Sequence, residues 1–107
     1  MSAEPQVANV EPREQSRPPL LFFHSTTDGP SRRVEGFLAQ VLQRRRNHGT
    51  FLVHSVAQEE RPDLLERFRI ETLPTLCVVE GRRVAGCLVA PRGCREIEDL
   101  LRPWLRR

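Results

Sequence analysis

The chain has no tyrosine and no lysine, a single tryptophan and three cysteines in 107 residues. All seventeen of its basic residues are therefore arginine. Arginine suits bidentate anion binding. A GC-rich coding bias, however, puts arginine for lysine everywhere, so the total content does not point to nucleic acid. No apolar run approaches the ~18 residues of a membrane-spanning helix. No basic segment followed by an apolar stretch opens the chain, so no signal peptide is expected. Cys77, Cys87 and Cys94 are odd in number and lack zinc-ligand spacing. They argue against a secreted disulfide scaffold and fit a reducing compartment, with the cytoplasm as the expected location.

What is present is enough for one small domain. Residues 1–19 hold four prolines among polar and charged side chains. They read as a disordered or loosely attached tail, leaving 20–107 as the folded domain. Leu20 to His24 is a short apolar run with aromatics, the pattern of a buried strand. Asp28 can cap a helix whose first turn takes Gly29 and Pro30. Val34, Phe37, Leu38, Val41 and Leu42 put one face of that helix on a core, and the helix is expected to run to about His48, with Gly49 ending it. Thr50 to Val56 reads as a strand apolar on both faces, covered by helices on two sides. A short helix is expected over Pro62 to Phe68. In "LPTLCVVEGRRVAGCLV", Thr75–Val79 and Val84–Val89 form a hairpin about a Glu80-Gly81-Arg82 turn. Ile97, Leu100, Leu101 and Trp104 mark the buried face of a last helix over about Gly93 to Leu105. The order predicts an α/β fold, a four-stranded mixed sheet with helices on both faces, whose first two strands are parallel across a right-handed crossover.

These residues also resemble the thioredoxin superfamily. "FFHSTTDGPSRR" is similar to thioredoxin's strand and "WCGPCK" turn, and "FRIETLPTL" to its "YGIRGIPTL". The resemblance covers residues 20 to 105 and implies a thioredoxin-like minimal core without the N-terminal strand-helix extension. It also shows what has changed. The two outer positions of the turn, cysteine in thioredoxin, are Asp28 and Ser31. A dithiol oxidoreductase needs an attacking thiolate and a resolving thiol there. The tryptophan before the first cysteine is Thr27, and the buried aspartate of the preceding strand aligns with Phe22. The resemblance thus implies a redox-inactive fold with no catalytic residues at the turn, no cofactor and no metal. What it leaves is recognition. The proline of the "Pro-Thr" motif is cis in the family and faces the turn, and the residues before it offer backbone hydrogen bonds to an extended peptide. Here those positions are Pro74, with Thr72 and Leu73. A purely structural role for Pro74, shaping the start of a strand, is the competing reading.

Other constellations carry less. Ser31, His24 and Asp28 invite a hydrolase reading, but nothing indicates a nucleophile elbow or an oxyanion hole. Amide groups at 29–32 beside Arg32 and Arg33 are an anion site only if Asp28 leaves them unsatisfied. Arg44–Arg46, His48, Arg106 and Arg107 form a basic cluster without interleaved aromatics, better explained as a solvated helix end than as a nucleic-acid surface. Cys94, at a helix start, is either a favoured thiolate or a buried structural thiol. Cys77 and Cys87 flank the hairpin turn at nearly matching distances. They are either cross-strand partners or, as favoured on burial statistics, two small apolar residues inside a sheet. The expected function is a protein- or peptide-binding, chaperone-like module without membrane or nucleic-acid partners. The alternative is a thiol-disulfide oxidoreductase or glutathione-type redox protein using Cys94 or the Cys77/Cys87 pair.

Overall fold

The computed structural model describes residues 17–105. Residues 1–16 of the expected 1–19 tail and the Arg106–Arg107 part of the basic cluster lie outside the described residues, and Pro19 already belongs to β1. The elements run β1 (Pro19–His24), α1 (Gly29–Gln43), a 3-10 helix (Arg44–Gly49), β2 (Leu52–Ala57), α2 (Pro62–Arg67), β3 (Thr75–Glu80), β4 (Arg83–Val89) and α3 (Cys94–Leu101). The four strands make one mixed sheet in the order β2-β1-β3-β4. β1 is parallel to β2 and antiparallel to β3, which pairs antiparallel with β4.

Alternation along β1 and β3 divides the core between the two faces of the sheet. Leu20 and Phe22 of β1 and Leu76 and Val78 of β3 point to one face. There they meet Val34, Leu38, Val41 and Leu42 of α1 and Ile97 and Leu101 of α3. Phe23 and Cys77 point to the other, against Val56, Leu65 and the flanking Leu64 and Phe68 of the α2 region. The central strands β1 and β3 are thus covered by helices on both faces.

Three elements depart from expectation. The α-helix stops at Gln43, and the chain tightens into the 3-10 helix. The apolar stripe ends at Leu42, so nothing draws another α-turn onto the sheet. The buried Asn47 instead ties this region together. Its side-chain amide donates to the Arg44 carbonyl at 2.8 Å, and its side-chain oxygen accepts from the Thr50 hydroxyl at 2.9 Å. Second, β2 is an edge strand, and Val53, His54 and Ser55 are exposed rather than covered on both faces. Third, α3 ends at Leu101, before Pro103, and the chain turns so that Trp104 packs edge-on to Phe51. Proline cannot supply the amide that another helical turn requires.

Candidate functional site

The turn between β1 and α1 is closed by its own polar groups. Asp28 has extended backbone angles, and its Oδ1 accepts the Ser31 amide at 2.7 Å, a helix N-cap. Gly29 and Pro30 follow in the first turn, where proline forfeits no helical bond. Ser31 is buried, and its Oγ accepts the Ser25 amide at 3.1 Å. The side chains of Asp28 and Ser31 are therefore both committed to holding the turn. The hydrolase constellation does not assemble. Ser31 Oγ is bonded to the backbone, Asp28 caps the helix, and the His24 ring stacks on Phe22 at 4.9 Å.

A carboxylate that sequence reasoning missed completes the turn. The Ser25 hydroxyl donates to Glu59 Oε2 at 2.7 Å, and the Thr26 amide donates to Oε1 at 3.2 Å. The Ser25 hydroxyl first, and then the Thr26 amide, hold the Glu59 carboxyl below the usual carboxylate range. Glu59 lies 34 residues from Ser25 and carries no local pattern, so only the parallel pairing of β1 with β2 brings the two together.

Across from this turn lies the Thr72–Leu73–Pro74 segment. The Leu73–Pro74 peptide bond is cis. The Thr72 carbonyl accepts from the Thr75 hydroxyl at 2.6 Å, and the Pro74 carbonyl accepts the Ala90 amide at 2.7 Å. Among the described residues, nothing hydrogen-bonds to the amide or carbonyl of Leu73. A cavity of about 170 Å³ separates Pro74 from the first turns of α1. Pro30, Arg33 and Val34 form one wall, Pro74 the second, and the Ala90–Arg92 turn the third. The structure therefore brings Pro30 and Pro74 onto one cavity, whereas Asp28, Gly29, Ser31, Thr72 and Leu73 stand beside it. Arg92 and the left-handed Ala90, with φ of 46°, are site residues that the sequence reading did not pick out. Two further cavities, of about 380 Å³ beside α2 and about 280 Å³ under α1 at β2, do not reach this region.

The cysteines fall in two places. Cys94 is half-buried between α3 and α1. Its sulfur lies 3.1 Å from Gln40 Oε1 and 3.7 Å from the Phe37 carbonyl, two acceptors for a thiol hydrogen. Cys77 and Cys87 are directly opposite in the β3–β4 register and are joined in a disulfide. This corrects the preference for two unbonded apolar residues inside a sheet. Cys77 is fully buried, but Cys87 lies exposed on an edge strand, where apolar packing does not account for it. Among the described residues, no three histidine, cysteine or acidic side chains gather as a metal site, and no helix is long and apolar enough to cross a membrane.

No family model matches the chain, and no curated protein matches it in sequence. Solved structures do match. Trxlp of Edwardsiella tarda EIB202 superposes with a TM-score of 0.74 at 16% identity, over 92% of this chain and 90% of that one. Oxidised mitochondrial thioredoxin 3 of Saccharomyces cerevisiae gives 0.70 at 16%, over 85% and 82%. Desulfothioredoxin of Desulfovibrio vulgaris Hildenborough, in its reduced form, gives 0.70 at 24%, over 85% of each chain. The chain has the thioredoxin fold.

Proposed function

We infer that the protein is a polypeptide-binding, chaperone-like module that runs no dithiol chemistry at the α1 turn. It holds an extended segment of a protein partner in the cleft between the start of α1 and Pro74. The observation that carries this reading is the unpartnered backbone of Leu73 beside a cavity walled by Pro30, Val34 and Pro74. A strand laid there gains main-chain hydrogen bonds from Leu73 and apolar contact from the two prolines. Thr72 contributes less, because its carbonyl already serves Thr75. Neither Asp28 nor Ser31 can cycle through a disulfide, so the module acts by holding rather than by reaction. The cytoplasm remains its proposed location.

The test uses the full chain and a permanently unfolded polypeptide, reduced and carboxymethylated α-lactalbumin. Backbone resonance shifts are expected at Leu73, at 30–34 and at 90–92. Pro74→Ala, if still folded by circular dichroism, should weaken binding about tenfold, the equivalent of about 1.4 kcal/mol. Insulin reduction in the presence of dithiothreitol should match a blank. Undiminished binding by a folded Pro74→Ala variant would place the functional surface elsewhere. The bonded Cys77–Cys87 pair favours a second reading, thiol–disulfide chemistry at the β3–β4 edge rather than at the turn.

A further inference from the structure

We propose that the Cys77–Cys87 bond is a thiol-exchange switch that sets how firmly two walls of the cleft are held together. Its chemistry rests on the second reading above, and its consequence for binding rests on the first.

The two sulfurs are unlike in access. Cys77 is sealed among Phe23, Val56 and Leu65, whereas Cys87 is exposed on β4. An external thiolate can therefore reach the bond at one end. It attacks the Cys87 sulfur, forming a mixed disulfide and expelling Cys77, which takes up a proton to become a buried thiol. A second external thiolate attacks the external sulfur of that mixed disulfide. This forms the small-molecule disulfide and releases Cys87, which is protonated in turn. Two electrons have passed from two external thiols to the protein. The reverse runs from a small-molecule disulfide: Cys87 attacks first and Cys77 resolves. The oxidant and reductant are thus a low-molecular-weight thiol and its disulfide. Exposed disulfides are the labile ones, and exchange depends on which sulfur is accessible.

The position of the bond gives the exchange a consequence. From Cys77–Cys87 the ladder continues through Leu76–Leu88 and Thr75–Val89. The next contact is the Ala90 amide on the Pro74 carbonyl. Pro74 and Ala90 are two walls of the cleft. The disulfide is therefore a covalent clamp on the same two strands, three steps from the rung that fixes the walls. With the bond open, the β4 edge is held to β3 by hydrogen bonds and packing alone, and the last rung opens more often.

The full chain is equilibrated with glutathione and glutathione disulfide, and after an acid quench its free thiols are counted by alkylation in denaturant and mass. Oxidised protein should show one reactive thiol, Cys94, out of three cysteines, and reduced protein all three. Exchange of the Ala90 amide should quicken about tenfold on reduction. The Cys87→Ser variant, altered at an exposed position, should show the fast exchange under both conditions. Three alkylatable thiols throughout the oxidising range would overturn the proposal, as would Ala90 exchange that ignores the redox state. If the α-lactalbumin probe binds neither form while thiols and Ala90 respond, the switch stands and the cleft reading fails. If it binds both forms equally and Ala90 does not respond, the switch fails and the cleft reading stands.

Discussion

At Ser31 a buried hydroxyl opens α1, and its work is structural. It accepts the Ser25 amide in a buried site, so Ser31→Ala strands a donor that water cannot reach. Such a loss costs about 1–3 kcal/mol. Urea denaturation should show a lower midpoint with an unchanged slope. Asp28 was legible as a cap from its place ahead of Gly29-Pro30, because caps depend on neighbours in sequence. The partner of Ser31 was not legible, because the strand end and the helix start approach only once the turn is built. Cys77 and Cys87 illustrate the same divide. Their opposition followed from the hairpin. Their bond did not, since nothing local distinguishes a pair of cysteines from a pair of small apolar residues.

Among the elements, the stretches with strong period came through: β1, the body of α1, the β3–β4 hairpin and α2. The misreadings fell where an element meets its surroundings. The exposure of β2 was hidden in its own sequence, since an apolar residue on an edge strand looks the same as one inside a sheet. Trp104 extended the expected last helix past Pro103, yet it reaches Phe51 from a turn and also donates to Glu80 at 3.1 Å. The loop carrying Glu59 joins β2 to α2 and grips the β1–α1 turn through Ser25 and Thr26. Those bonds favour the ionised carboxylate, so its pKa in the folded chain lies below that in the unfolded chain. The contribution is present at neutral pH and is lost as pH falls through the lowered value. Wild type should melt above Glu59→Gln at neutral pH, and the gap should close as melting is repeated at pH values below the ordinary glutamate range.

Taken whole, the molecule carries a net charge of +3, and two exposed arginines, Arg33 and Arg92, flank its cleft. A carboxymethylated polypeptide carries added negative charge, so its affinity should fall severalfold as salt rises from about 0.05 to about 0.5 M, because the Debye length shrinks below 10 Å. The same titration with Arg33→Gln should show a shallower slope. An affinity indifferent to salt would assign the cleft to apolar contact alone. The disulfide also acts on a state that the folded architecture does not display. Its two cysteines are ten positions apart, on either side of a tight turn. A ring that short removes few arrangements from the unfolded ensemble, roughly 2–3 kcal/mol of loop-closure entropy against almost 5 for a 100-residue ring. Opening it therefore costs the fold less than opening a longer ring would.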